Sequence, residues 1–135
     1  MENLVNEEVS QQEIAKWLDF KRVKPSSREN YKGAIDELEN AITEGFLSLD
    51  ENFNLKLKLI FPIENEISTT ELVFKPRVKI GEIQKAMQGT KSDDAQGMIL
   101  AIVSCLTNKP KQLIKELDVE DYGICQNIAL FFIPK

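Results

Sequence analysis

Two groups of carboxylates come closest to a pattern that could do chemistry. They are Asp93 with Asp94, and Asp118 with Glu120 and Asp121. A calcium loop needs oxygen ligands at alternating positions around a central glycine, and neither group has that spacing. Both groups precede helical patterns, where acidic side chains cap free amides and offset the helix dipole. We therefore interpret them as helix starts.

The cysteine and histidine content further limits the kinds of catalytic and metal site that this chain can form. The chain has two cysteines and no histidine, so the usual general base and the usual zinc nitrogen are absent. Cys105 and Cys125 lie in apolar segments, which predicts small core residues in a reducing compartment; a disulfide between packed helices is the alternative. The segment GTKSDD lacks the upstream glycine of a phosphate-binding loop. We expect no enzyme activity, no metal and no cofactor.

Composition sets the class of protein. The chain has 135 residues, 42% of them hydrophobic and 29% charged, which fits one domain or one domain with an appendage. Its net charge of −5 argues against nucleic-acid binding. The basic segment KRVK, residues 21–24, is a weak exception because acidic residues follow it. No apolar stretch reaches the roughly 18 residues of a membrane span, and the acidic start lacks a signal core. We expect a cytoplasmic protein with no membrane or nucleic-acid partner.

The elements that would position these residues begin with helices. Ile14, Trp17 and Leu18 have helical spacing, which predicts a helix over about 11–20 with Trp17 as a core anchor. Ser26 and Glu29 fit a capping box. A longer helix should follow and end at Gly45, with its apolar stripe formed by Tyr31, Ala34, Ile35, Leu38, Ala41 and Ile42.

The middle of the chain has the period of β-strands. Apolar side chains alternate over nine residues, at Phe53, Leu55, Leu57, Leu59 and Phe61. The segment 67–80 is rich in β-branched residues and predicts a second strand. Together the two runs predict a β-hairpin, which must pack on other elements to be stable.

The C-terminal part returns to helical patterns. We expect a short helix closed by Gly89, a longer one capped by Ser92 and ended by Asn108, a short one from Pro110, and a last one capped by Asp118. The predicted fold class is α+β. It comprises a helical N-terminal region, residues 1–50, followed by residues 51–135 with a central β-hairpin and a bundle of three to four short helices.

The last helix carries more apolar surface than one core obviously needs. Tyr122, Cys125, Ala129 and Phe132 form one face, which we assign to the core. A neighbouring face is formed by Ile124, Ile128 and Phe131. We hypothesise that this second face binds a partner or a second copy of the chain. The alternative is that both faces are core, since aromatic residues are usually packed inside.

The segment LTNKPKQLIKELDVEDYGICQNIALFF resembles the tail assembly chaperones of contractile-tailed bacteriophages. Upstream, ELVFKPRVKIGEIQKA is similar to the strand, proline-containing turn and first helix of that family. The resemblance covers about residues 66–132, and Asn108 stands where the family commonly has glycine. Residues 1–60 have no counterpart in it. The matching positions are Leu72, Phe74, Pro76, Gly81, Ile83, Leu106, Thr107, Pro110, Ile114, Leu117, Asp118, Asp121 and Tyr122.

This resemblance implies a phage or prophage protein that binds the tape measure protein, helps recruit tail tube subunits and is absent from the virion. A homo-oligomer is left open. One alternative is a small structural or adaptor component retained in the tail or baseplate. Another is a regulatory module that places the segment VKPSSRENYKG, residues 23–33, on nucleic acid.

Overall fold

The computed structural model describes residues 4–64, 68–91 and 93–133. Within these ranges it contains seven α-helices and a three-stranded antiparallel sheet, which confirms the α+β prediction. The elements are α1 Glu7–Phe20, α2 Pro25–Asn30, α3 Lys32–Thr43, β1 Leu47–Leu49, β2 Leu55–Ile63, β3 Thr69–Phe74, α4 Ile80–Ala86, α5 Ala95–Thr107, α6 Lys111–Ile114 and α7 Val119–Ala129, with a 3₁₀ turn at Leu130–Phe132.

Helix α1 begins earlier than the apolar spacing predicted. Asn6 caps it by accepting a hydrogen bond from the Glu8 amide at 2.7 Å, so residues 7–10 are already helical. The buried Ser10 hydroxyl lies 2.8 Å from the Thr43 hydroxyl, which joins α1 to the end of α3. Trp17 is 1% exposed, and its predicted core position is confirmed.

The predicted capping box at Ser26 is wrong. Pro25 opens α2, Ser26 lies inside it, and the α2 start has no side-chain cap. The backbone breaks at Tyr31 before α3 continues from Lys32. The predicted end at Gly45 is confirmed: Gly45 follows the last helical turn with φ +85°, a conformation that glycine adopts without strain.

The sheet has the order β1-β2-β3 and contains the predicted hairpin as β2 and β3. Strand β1 was not predicted, because three residues are too few to establish a period. The alternation fails at both ends of the predicted strand. Phe53 lies in the turn before β2 with φ +64°, and Phe61 is 52% exposed because the register shifts between Lys58 and Ile63.

The C-terminal region forms the four helices α4 to α7. The N-cap of α5 is Asp94, which accepts from the Gly97 amide at 2.8 Å; the predicted cap, Ser92, lies outside the described residues. Asn108 ends α5 with φ +55°, as predicted. Asp118 caps α7 by accepting from the Glu120 amide at 3.0 Å, also as predicted.

One hydrophobic core joins the N-terminal and C-terminal regions. Helix α3 packs on α1, α7 and β1, while α5 and α7 pack on the sheet. Because β1 pairs with β2, through Leu47 opposite Leu57, the sheet crosses the boundary drawn at residue 50. That boundary therefore does not separate two cores. None of the helices in the described ranges is long and apolar enough to cross a membrane.

Candidate functional site

The C-terminal helix and its 3₁₀ turn lie where the two regions meet. Cys125, Ala129 and Phe132 are buried, as expected of the core face, whereas Tyr122 is only partly buried. Helix α7 contacts α3, α5 and β2. Helix α7 is therefore enclosed on several sides.

The predicted partner face, Ile124, Ile128 and Phe131, is not one exposed surface. Ile128 is 0% exposed, which corrects its assignment to a partner-binding site. Ile124 and Phe131 are partly buried and pack against the core.

The N-terminal helices cover much of this face. The Phe131 ring meets Trp17 edge-on, with centroids 5.5 Å apart and an interplanar angle of 85°. It meets Tyr31 at 5.4 Å and 78°. Such edge-to-face pairs are favourable and occupy a large part of the ring. Phe131 is thus chiefly a packing residue between α1, the start of α3 and the C-terminal turn.

Asp121 is buried, whereas its acidic neighbours Asp118 and Glu120 are exposed. It is 0% exposed, and its carboxylate accepts from the amides of Ile60 at 2.8 Å and Phe61 at 3.0 Å. Both amides lie in the part of β2 where the register shifts. Interpreting Asp121 only as dipole compensation was therefore incomplete, because it satisfies two donors that the irregular ladder leaves free.

The two cysteines differ in burial. Cys125 is completely enclosed, and burial raises the pKa of its thiol, with the Asp121 carboxylate acting in the same direction. Cys105 is only partly buried, which corrects its assignment to the core. Burial also raises its pKa, and its thiol donates to the Glu82 carboxylate at 3.9 Å. A raised pKa disfavours the thiolate that nucleophilic chemistry requires.

An apolar groove that sequence reasoning missed lies between the start of α5, α6 and α7. Leu100, Leu117 and Tyr122 are partly buried in it, and Val119 at its edge is 83% exposed. The rim carries polar side chains, and the groove has a volume of about 610 Å³. It is lined by Asp94, Gln96, Gly97, Leu100, Ile114, Lys115, Leu117, Val119, Tyr122 and Gln126.

An apolar floor with a polar rim is the usual anatomy of a protein-binding surface. One feature of the sequence indicated this groove. Val119 directly follows the helix cap, and an apolar side chain at that position faces water. Its neighbours in the groove come from α5, from α6 and the turn after it, and from α7, and their proximity depends on tertiary packing. In the described ranges, no three His, Cys, Asp or Glu side chains are grouped to hold a metal ion.

Comparison of the chain with protein-family models, with curated proteins and with solved structures found no match.

Proposed function

We propose that this chain is a non-catalytic tail assembly chaperone of a bacteriophage or prophage. It binds the tape measure protein and helps recruit tail tube subunits in the cytoplasm of the bacterial host. One observation carries the proposal. Ile114, Leu117 and Tyr122, three positions of the motif that resembles this family, line the same groove. In this proposal the motif serves to build a docking surface.

The chemistry of the groove suits such a partner. A tape measure protein is long and largely helical, with apolar stripes that aggregate if they stay in water before the tube forms. An amphipathic helix can lay its apolar side chains on Leu100, Leu117 and Val119 while its polar side meets the rim. Several copies along one tape measure chain would add avidity, so each contact can be weak enough for tube subunits to displace it.

The test measures binding to the tape measure protein encoded in the same genome. Val119→Glu places a charge at the most exposed apolar side chain of the groove and should weaken binding at least tenfold. Val9→Glu is the matched control, because Val9 is also an exposed valine in the first turn of a helix, and it lies outside the groove. Glutamate is tolerated at both helix starts, so both variants should fold.

The outcomes separate the function from the location of the site. If the wild-type chain neither binds the tape measure protein nor keeps it soluble on co-expression, the chaperone function is wrong. If it binds and V119E binds equally well, the function stands and the groove is not the site. Mass spectrometry of purified virions addresses the structural alternative, since a chaperone should be absent from the particle.

A further inference from the structure

Basic side chains from two distant parts of the sequence meet on the surface beside the C-terminal turn. Lys21, Arg22 and Lys24 follow the end of α1, and Arg77 and Lys79 lie between β3 and α4. Two depressions share Lys21: Arg77 and Lys79 line one, and Arg22 and Lys24 line the other. We call these five residues the basic cluster. It is a local concentration of positive charge in a chain of net charge −5.

Aromatic rings hold two of these cations in place. The Arg77 guanidinium donates to the Phe20 carbonyl at 2.7 Å and lies 5.0 Å from the Phe20 ring centroid. Phe20 in turn stacks on Phe53, with centroids 4.2 Å apart and planes 2° from parallel. The Lys21 ammonium lies 3.2 Å from the centroid of Phe132. Cation–π contacts of this kind fix the charges before any ligand arrives.

Within the described ranges, no member of the basic cluster forms a salt bridge. The salt bridges found there join Lys16 to Glu13, Arg28 to Asp19 and Lys75 to Glu82. Glu82 lines one depression, but its carboxylate is held by Lys75 at 3.3 Å. Burial and repulsion from Arg77 lower the pKa of Lys21 to about 8, so an added anion would relieve an unfavourable arrangement.

The floor between these charges is apolar, and it combines aliphatic side chains with the rings of Tyr31, Phe131 and Phe132. Phe131 and Ile133 line both depressions, and Val78 and the 56% exposed Ile80 extend one of them. Nucleic-acid surfaces combine cations with ring faces on which bases stack. The rings that line these depressions already have partners, because the Lys21 ammonium lies over Phe132 and Phe131 meets Tyr31 edge-on. The aliphatic side chains offer no face for a base, but they can bury leucine or isoleucine side chains of another protein.

We propose that the basic cluster and its apolar floor bind an acidic amphipathic helix of a partner protein. Carboxylates of that helix would pair with the lysines and arginines, and its apolar side chains would cover Phe131, Ile80 and Ile133. This inference is independent of the chaperone proposal, because no residue of the cluster lines the groove between α5 and α7. The partner helix would also cover the part of the Phe131 ring that Trp17 and Tyr31 leave exposed.

The test uses two synthetic helical peptides with leucine at positions i, i+3, i+4 and i+7. One carries glutamate on both sides of the leucine stripe, and its twin carries glutamine. Fluorescence anisotropy with the full chain should give at least tenfold tighter binding of the glutamate peptide at low salt. The preference should shrink in about 0.5 M salt, where the Debye length falls to a few ångströms.

Charge reversal locates the site. Lys24→Glu with Lys79→Glu should weaken binding of the glutamate peptide at least tenfold, and both side chains are exposed, so the fold should persist. Lys32→Glu with Lys91→Glu makes the same change in net charge at exposed positions outside the cluster and should leave binding within twofold.

Four results would overturn the proposal. They are no binding of the glutamate peptide by the wild-type chain, no preference over the glutamine twin, an equal loss in the control variant, and tighter binding of a single-stranded DNA of equal charge. Analytical ultracentrifugation supplies a fifth. Salt-sensitive self-association that K24E with K79E abolishes would make a second copy of this chain the occupant and would exclude a separate acidic partner.

Discussion

The carboxylate of Asp121 accepts a hydrogen bond at 2.8 Å from the amide of Ile60, a residue 61 positions earlier in the chain. The same carboxylate accepts from the next amide, that of Phe61, at 3.0 Å. Helix α7 is thereby joined to the irregular part of β2. An acidic residue in the first turn of a helix thus supports the sheet on which that helix packs.

Asp121→Asn should lower the free energy of unfolding by about 1–3 kcal/mol. The asparagine oxygen can still accept one amide, but its NH₂ group would face the other amide, leaving a buried donor unpaired. Asp118→Asn is the matched control, because asparagine caps a helix about as well as aspartate. Urea unfolding followed by far-UV circular dichroism measures both. Equal stability of D121N and D118N would contradict this role of Asp121.

This contact marks a limit of what the sequence predicts. Local signals found helix caps and ends at Asp118, Asn108 and Gly45, because those depend on neighbouring residues. The shifted part of β2 contains Pro62, which cannot donate to the ladder, but the buried acceptor that supports the shift, Asp121, comes from α7 and lies outside the strand's own pattern. Phe61 was therefore assigned to the wrong face.

The same limit applies to the candidate surfaces. The spacing predicted one face formed by Ile124, Ile128 and Phe131, but Phe131 lies in the 3₁₀ turn after α7. The spacing also could not show that Trp17 and Tyr31 would cover Phe131. The groove between α5 and α7 and the basic cluster each combine segments that lie far apart in the sequence. Periodicity describes a single element, whereas these surfaces arise from packing between elements.

Phe131→Ser tests whether this ring is a packing residue. It removes two edge-to-face contacts and should cost about 2–4 kcal/mol, somewhat less than truncation of a fully buried phenylalanine. Val119→Ser is the control: its side chain is 83% exposed, so stability should change by less than about 0.5 kcal/mol. Thermal and urea unfolding give the comparison. A fully stable F131S would restore the hypothesis that Phe131 is held mainly for a partner.

The shared core predicts a single unfolding transition. The lone tryptophan, Trp17, reports on α1, while far-UV circular dichroism reports on all helices. Because both regions contribute to one core, the two signals should change at the same urea concentration. Leu57→Ala, a buried change in β2, should lower the midpoint seen by Trp17 as well. A separate Trp17 transition, insensitive to L57A, would show that residues 1–50 unfold independently.

The lowered pKa of Lys21 predicts that its contribution to the free energy of unfolding becomes less unfavourable as the pH rises. Burial and the neighbouring Arg77 lower its pKa from 10.5 to about 8, so the unfolded chain binds this proton more tightly than the folded protein does. The resulting penalty on the folded state is complete below pH 8 and disappears as the pH rises from about 8 towards 10.5. Lys21→Met keeps the length of the side chain without its charge. It should therefore be more stable than the wild type at pH 7, and this advantage should narrow at pH 10.

Urea unfolding of the wild type and of K21M at pH 7 and pH 10 measures the two free energies of unfolding. Groups that titrate alike in the two proteins cancel in the difference between these free energies. Lys32→Met, at an exposed position on α3, controls for the loss of one positive charge and should bring no comparable gain at pH 7. The cation–π contact of Lys21 with Phe132 favours the charged form and opposes the penalty. If that contact outweighed desolvation, K21M would be less stable than the wild type at pH 7. That result would show that the Lys21 cation stabilises the fold before any acidic ligand binds.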